Sequence, residues 1–462
     1  MSFLTIKFLL FFLAVWGLAI IFRPYKRAYK LLIIGANLVF YSFFGVTGLV
    51  VLVSDVLLNY GLLKILGRLK AKKKVLGVGV GLNLLLLSSY KYFNNLTGIT
   101  GMEIIAPIGV SFFTFKIISV LIDSYRQKIQ VNSLADYLAY VSFFPQISAG
   151  PIARFKEFAE DINQEEQGET ENNNIGPRFW TLIISGWLKM YLIGSYLYEI
   201  VNQTINAPQS FGRVDLILGM MSLSFFIFAN FSGYSDISEA LAMALGFRTP
   251  KNFNNPYRAV GIRDFWQRWH MSLSTWLKDY LYIPMGGNRR GRAWKYCNLL
   301  VTMVVGGMWH GAEINFLVWG GLQGEMLMID HFLHDTVWPK LRGVANWIKI
   351  AGRGGGWLIT FGLINISWII FYPKNMEASV TYFEYLIRPR ENLVVLGSGG
   401  LLTILILAGI LSVRGDKFEE IMAKTLTKAP GVVRYVVLVV IFYLIITFGP
   451  SNYVAPAAYF NF

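Results

Sequence analysis

Two histidines stand in apolar surroundings where a proton-accepting side chain is chemically useful. His310 lies in the glycine-rich segment 306–311, and His270 lies in segment 268–272, beside a tryptophan and close to a serine. Burial disfavours the charged form of an imidazole, so each ring is expected to be neutral at pH 7 and able to take a proton from a hydroxyl. This is the general-base step that lets an alcohol attack a thioester or an ester. The alternative interpretation is that both histidines only make hydrogen bonds inside a packed core.

The spacing of both histidines around a basic loop predicts that they lie at similar depth. The loop, residues 286–297, begins 16 positions after His270 and ends 13 positions before His310. If the loop is the turn of a helical hairpin, a rise of about 1.5 Å per residue places both imidazoles about 20–24 Å from it. Both rings would then lie deep in a hydrocarbon core of about 30 Å. Trp309 is expected to wall this site and to exclude water, which suppresses hydrolysis.

The composition indicates that lipid surrounds these histidines. Among the 462 residues, 55% are hydrophobic and 15% are charged, whereas about 25% of the residues of a soluble protein are charged. We therefore predict an all-α polytopic membrane protein with about 11–13 transmembrane helices, since each span needs about 20 apolar residues. Two shorter or more polar segments, 234–247 and 265–285, are predicted to be broken or re-entrant helices. The predicted spans are 3–22, 31–46, 48–66, 75–90, 104–121, 134–150, 179–200, 214–230, 298–320, 355–372, 396–412 and 433–448.

The basic residues follow a membrane pattern rather than a nucleic-acid pattern. The net charge of +15 comes from short clusters between apolar runs, where positive-inside anchoring places them. The clusters at 23–30 and 64–74 are separated by a two-helix hairpin, so both are expected on the cytoplasmic side of the cell membrane, with the N-terminus outside. No nucleic-acid partner is expected. One cysteine, Cys297, and four histidines also predict no disulfide and no metal site.

The remaining segments predict a single membrane domain over residues 1–462. We find no internal repeat and no separate soluble domain in the sequence. The segment 157–171 carries seven acidic residues and is predicted to be a solvated, mobile loop. His331 and His334 stand close to aspartates near a predicted helix end, and they are interpreted as interfacial residues.

Several short motifs, densest between residues 107 and 324, carry a resemblance to a known family. The matching segments are 107–115, 143–146, 150–152, 231–236, 252–257, 265–274, 279–288, 309–311 and the aromatic ending 459–462. With these motifs the chain resembles the membrane-bound O-acyltransferase (MBOAT) family, and within it the bacterial alginate and peptidoglycan O-acetyltransferase branch.

The resemblance implies a role for each histidine and a path for the acyl group. His310 would be the catalytic histidine and His270 the second active-site histidine. The family fold implies a ring of tilted helices around a central tunnel that joins a cytoplasmic donor, here acetyl-CoA, to an outer acceptor. An extracytoplasmic partner acyltransferase, similar to SGNH hydrolases, would pass the acetyl group to a polysaccharide. The residues expected along the tunnel are Trp309, Asp236, Tyr234, Ser272, Arg268 and Asn254.

Three other functions remain open at this point. The same fold can move D-alanine to teichoic acid, although the segment 282–288 favours the acetyl branch, because the D-alanyl branch usually lacks it. A proton-coupled transporter would use the histidines as a relay, but the sequence lacks the inverted repeat that many transporters show. A structural scaffold for polymer export is the third alternative.

Overall fold

The computed structural model describes residues 5–68, 71–96, 106–163, 176–337, 346–388 and 399–428, together with Phe3, Leu396 and isolated positions between 430 and 443. Helices dominate this part of the chain, which confirms the predicted all-α class. The α-helices are α1 (Ile6–Phe22), α2 (Lys26–Ser42), α3 (Val46–Arg68), α4 (Lys72–Leu96), α5 (Val110–Tyr125), α6 (Leu134–Ser142), α7 (Phe155–Asn163), α8 (Pro177–Trp187), α9 (Ser195–Asn206), α10 (Arg213–Ala244), α11 (Ile262–Trp266), α12 (Met271–Leu277), α13 (Arg292–His310), α14 (Ile314–Thr336), α15 (Asn346–Phe371), α16 (Met376–Ile387) and α17 (Gly399–Lys428). Two π-helical segments, Leu188–Gly194 and Lys278–Tyr282, continue α8 and α12.

Four helical stretches among the described residues are long and apolar enough to cross a membrane. They are Val46–Arg68, Lys72–Tyr92, Arg213–Ala244 and Gly352–Phe371, with mean hydropathies of 1.9, 1.3, 1.8 and 1.5. At about 1.5 Å per residue, about 20 residues reach across the hydrocarbon core. The predicted total of about 11–13 transmembrane helices is not tested by these four stretches and stays a prediction. The predicted span 433–448 and the aromatic ending lie largely or wholly outside the described residues. The prediction of a mobile loop over 157–171 is wrong for residues 157–163, which belong to α7 with Asp161 buried, and the rest of that segment lies outside the described residues.

The chain forms two compact units by its internal contacts. The first comprises Met1–Phe179 with Ile237–Pro250, and the second comprises Trp180–Asp236 with Lys251–Phe462. All the residues predicted to do chemistry belong to the second unit. The prediction of a single membrane domain stays a prediction.

The predicted span 134–150 is wrong in its second half, within the first unit. α6 ends at Ser142, and residues 143–150 continue as buried turns. Pro145 lacks a backbone N–H and disfavours helical geometry in the residue before it, so the helix cannot continue. The Ser238 hydroxyl donates to the carbonyl of Pro145 at 2.5 Å. The buried turn thus obtains a side-chain partner for a backbone group that lipid could not satisfy.

α10 corrects another prediction, because one helix of 32 residues replaces the predicted span 214–230 and the separate segment 234–247. The polar residues near its middle do not break the helix. Gly233 instead permits close packing: a Cβ there would lie 2.7 Å from Met190 Cγ and 2.8 Å from the Gly186 carbonyl. The polar stretch therefore marks a packed and hydrogen-bonded helix surface rather than a helix end.

The predicted span 298–320 is likewise wrong, since the chain leaves helical geometry at residues 311–313. Gly311 is extended, and a Cβ there would lie 2.3 Å from the Phe316 ring. The break separates α13 from α14 directly after His310. The predicted broken segment 265–285 is confirmed, because α11, α12 and a π-helical segment divide it.

α13 and α14 pack against each other through glycines in the second unit. A Cβ at Gly307 would lie 2.3 Å from the Phe316 carbonyl oxygen, and one at Gly320 would lie 2.6 Å from the Met303 carbonyl oxygen. Small residues at a helix interface let two backbones approach closely in a membrane. This contact fixes the end of α13, where His310 stands.

Replacing Gly307 by alanine is expected to destabilise the protein by about 1–3 kcal/mol, because the new methyl group meets backbone that cannot rotate away. Thermal unfolding of the purified protein in detergent measures the effect. Gly321→Ala on α14 is the matched control, since a Cβ there meets nothing within 4 Å. Equal unfolding temperatures for the two variants would contradict this account of the contact.

Candidate active site

His270 occupies a left-handed turn between α11 and α12, at φ 42° and ψ 52°. A non-glycine residue in this region costs about 1–3 kcal/mol, so surrounding contacts must hold it there. Two backbone hydrogen bonds do so. The Met271 N–H donates to the Asn252 carbonyl, and the Asn254 N–H donates to the Arg268 carbonyl, both at 2.9 Å. These bonds fix the direction in which the buried imidazole points.

The side chain of Asn252 connects this turn to α10. Its Oδ1 lies 3.0 Å from His270 Nδ1, 2.9 Å from Ser272 Oγ and 3.3 Å from the Ser272 backbone nitrogen. Its Nδ2 donates to Ser235 Oγ at 3.1 Å. Asn252 is 3% exposed. One buried amide therefore joins the histidine, a serine of α12 and a serine of α10.

His310 is the last residue of α13, and aromatic rings surround its buried imidazole. The Trp319 and Phe371 rings meet it edge-on, with centroids 5.4 and 4.9 Å away. The Trp309 and Phe316 rings lie 4.9 and 6.3 Å away. An imidazole enclosed in this way lies in apolar surroundings, where electrostatic interactions are stronger than in water.

Trp309 is adjacent to both histidines, with ring centroids 4.9 Å from His310 and 6.5 Å from His270. The structure thus brings together the two residues that the sequence singled out. The predicted hairpin geometry is wrong in detail, because α13 already begins at Arg292 and the arm that carries His270 is not one continuous helix. A helical rise therefore does not measure the depth of His270.

Asp236 belongs to a charge pair in the second unit, with its side chain 14% exposed and that of its partner Lys189 5% exposed. Its Oδ2 accepts hydrogen bonds from Lys189 Nζ at 2.7 Å and from Ser185 Oγ at 2.9 Å. Lys189 Nζ also lies 3.8 Å from a Glu419 carboxylate oxygen. Asp236 directly follows Ser235, the residue that accepts the hydrogen bond from Asn252. The predicted site residue thus neutralises a lysine in the π-helical segment.

Among the other predicted site residues, one side chain joins the hydrogen bonds around His270 and the others do not. Ser272 bonds to Asn252 and so belongs to the histidine turn. Arg268 Nε pairs with Asp264 at 2.6 Å, and the contacts of Asn254 with the turn come from its backbone. Tyr234 is buried in α10. Ser272 therefore shares the Asn252 oxygen with His270, while Arg268 donates to the Asn254 carbonyl.

The two remaining histidines are placed as predicted, near the end of α14. The side chain of His334 is 61% exposed, and Lys295 pairs with Asp335 at 2.6 Å beside it. His331 stands one turn earlier in the same helix. Both histidines thus lie near a polar helix end, and the interfacial interpretation stays a prediction.

Two residues of this region, Asn252 and Lys189, were not among the predicted site residues. Asn252 shares a motif with Asn254, and the sequence alone does not reveal which asparagine turns its side chain towards His270. Lys189 could have been predicted from the sequence. It is an ionisable residue inside the predicted span 179–200, and such residues usually mark a function.

Replacing Lys189 by methionine is expected to lower stability by about 3–5 kcal/mol, because the largely buried Asp236 carboxylate, 14% exposed, loses its counter-charge. The double variant K189M/D236L is expected to recover much of that loss, since it removes both charges. Thermal unfolding in detergent measures both effects. The control is Lys424→Met, which breaks an exposed pair with Glu420 and is expected to change little. An additive loss in the double variant would contradict a coupled buried pair.

The helices and the enclosed histidines define the class of the molecule: a multi-pass α-helical membrane protein with a buried polar site. The model of the membrane-bound O-acyltransferase (MBOAT) family matches residues 37–369. The chain belongs to this family and is an acyltransferase.

Individual relatives agree with this assignment. The probable alginate O-acetylase AlgI of Pseudomonas aeruginosa is 34% identical over 402 residues, covering 83% of this chain and 74% of that protein. The peptidoglycan O-acetyltransferase of Helicobacter pylori is 32% identical over 388 residues, covering 76% and 72%. The teichoic acid D-alanyltransferase of Bacillus subtilis is 28% identical over 291 residues, covering 59% and 70%. These similarities confirm the family predicted from the short motifs.

Proposed function

We propose that this chain transfers an acetyl group from acetyl-CoA, at the cytoplasmic face of the cell membrane, towards an alginate-like polysaccharide or peptidoglycan outside. The observation that carries the proposal is the His310 imidazole, enclosed by four aromatic rings at the end of α13. The two O-acetyl-transferring relatives share more of this chain than the D-alanyl-transferring one does. That difference favours acetyl as the group transferred.

His310 acts as the general base in this reaction. Its neutral imidazole takes the proton of an acceptor hydroxyl while the hydroxyl oxygen attacks the carbonyl carbon of the acetyl thioester. The carbon–sulfur bond breaks, and the leaving thiolate receives the proton from His310. The aromatic wall keeps water away, so the acetyl group goes to the acceptor instead of being hydrolysed.

The acceptor hydroxyl belongs to a serine of an extracytoplasmic, SGNH-hydrolase-like partner or to a sugar of the polymer. A tunnel through the lipid-embedded protein would join the two faces of the membrane. The basic clusters at 23–30 and 64–74 support a cytoplasmic position for the loops that carry them and an outside N-terminus.

A donor comparison tests the proposal against D-alanyl transfer. Inverted membrane vesicles from the cells that make the protein receive either radiolabelled acetyl-CoA or a radiolabelled D-alanyl carrier protein. We expect label from acetyl-CoA in the polymer or in the partner protein, and none from the D-alanyl carrier. The opposite labelling would replace acetyl by D-alanine. A proton gradient altered by substrate without any labelling would favour a transporter.

A further inference from the structure

Asn252 is a buried amide whose orientation can be deduced from its partners. Its two end atoms, an oxygen and a nitrogen, look alike in shape, and only hydrogen-bond partners tell them apart. One end faces the backbone nitrogen of Ser272 at 3.3 Å. A backbone N–H can only donate, so the atom facing it must be the acceptor oxygen. The Nδ2 end then donates to Ser235 Oγ at 3.1 Å, which is consistent.

The orientation of Asn252 decides where the proton of the His270 ring lies. His270 Nδ1 is 3.0 Å from the same oxygen. An amide oxygen only accepts hydrogen bonds, so Nδ1 must carry the proton in the neutral ring. The other ring nitrogen, Nε2, then holds the lone pair. The bond between the two side chains is well buried, with Asn252 3% and His270 1% exposed.

We infer that Asn252 is a positioning residue that selects the Nδ1–H tautomer of His270, so that Nε2 accepts a hydrogen bond that orients the incoming hydroxyl before His310 takes its proton. This inference deepens the proposed function and assigns opposite capabilities to the two nitrogens. A His270 in this tautomer accepts a hydrogen bond from the acceptor hydroxyl and cannot donate one from Nε2 to the acyl carbonyl oxygen. The second histidine thus orients the nucleophile and does not polarise the acyl carbonyl group.

The backbone around Asn252 supports the same assignment. The Asn252 carbonyl accepts from the Met271 N–H at 2.9 Å, while its side chain accepts from the Ser272 N–H and hydroxyl. Bonds on both sides of the left-handed residue hold the ring against the amide. The Phe231 ring meets the imidazole edge-on at 4.6 Å, which opposes a flip of the histidine ring. Histidines oriented by a partner of this kind generally have their tautomer set by it.

Nuclear magnetic resonance of histidine labelled with ¹³C and ¹⁵N in the ring tests the inference on the full-length protein in detergent. The ring carbon and nitrogen shifts distinguish the two neutral tautomers, and the signals missing from the His270→Asn variant identify His270. We expect the Nδ1–H tautomer in the wild type. Asn252→Leu, of similar size but without an acceptor oxygen, is expected to shift His270 to the Nε2–H tautomer and to slow acetyl transfer at least about tenfold.

Two matched variants separate tautomer selection from a general loss of packing. Asn252→Asp keeps an acceptor oxygen, and Ser272→Ala removes one partner of that oxygen without touching the ring, so both are expected to keep the Nδ1–H tautomer. A wild-type His270 protonated on Nε2 would overturn the inference, and so would an unchanged tautomer in Asn252→Leu. If Asn252→Leu does not fold, the wild-type and Asn252→Asp spectra alone decide.

The spectra need no acyl donor, so they are independent of the proposed function. A protein with the Nδ1–H tautomer that transfers D-alanine instead of acetyl would overturn the proposed donor and leave the role of Asn252 standing. A protein that transfers acetyl with His270 protonated on Nε2 would overturn the role of Asn252 and leave the proposed donor standing.

Discussion

Replacing His310 by glutamine is expected to lower the rate of O-acetyl transfer by at least about 100-fold, the lower end of what a general base contributes. Glutamine is polar and of similar length, but it has no basic nitrogen that can take the proton of the acceptor hydroxyl. The measurement is the O-acetyl content of the polymer from cells that make equal amounts of the wild type and the variant.

The control for this variant is His334→Gln. His334 lies on the neighbouring helix α14 with a side chain that is 61% exposed, and its replacement is expected to leave acetylation at the wild-type level. Unfolding temperatures of both purified variants show whether a loss comes from the chemistry or from the fold. Near-normal acetylation by a well-folded His310→Gln protein would remove His310 from the mechanism.

Replacing His270 by asparagine is expected to have the second-largest effect, a loss of about 100-fold in transfer rate with the fold retained. The choice of asparagine follows from the backbone, because His270 adopts a left-handed conformation that asparagine tolerates better than most residues. The variant therefore removes the basic nitrogen without adding strain. Initial rates from labelled acetyl-CoA in membrane vesicles measure the loss.

His270→Val completes this test, since a β-branched residue is poorly suited to positive φ. Valine is expected to lower the unfolding temperature as well as the rate, whereas asparagine lowers the rate alone. A His270→Asn protein with wild-type rates would show that His270 only fills space and makes hydrogen bonds, which is the alternative interpretation of a buried histidine.

The sequence predicted the apolar helices well, because their signal is local. The spans predicted at 48–66 and 75–90 lie within α3 and α4, each bounded by basic residues or turns. The breaks were harder to predict, because short turns interrupt runs that remain apolar in the sequence. The end of α13 lies where the Phe316 ring fills the space beside Gly311, and the sequence does not show this contact.

In the candidate site, the residues marked by their own sequence surroundings could be predicted, and a residue whose role depends on the folded chain could not. His310 and His270 could be found from the sequence, since polar residues are rare among apolar ones and stand out. Their common neighbour Trp309 was also found, because it adjoins His310. Asn252 was not found, since its role depends on an 18-residue connection that folds it back onto His270. A tautomer is a property of three-dimensional hydrogen bonds and leaves no trace in the sequence.

We propose that a histidine enclosed in the membrane domain moves an acetyl group from a cytoplasmic donor. The most direct measurement supplies radiolabelled acetyl-CoA to inverted membrane vesicles that contain either the wild type or His310→Gln at equal protein levels, and follows label in the polymer and partner fraction. We expect label with the wild type and at least about 100-fold slower labelling with the variant. Equal labelling by both proteins would contradict it.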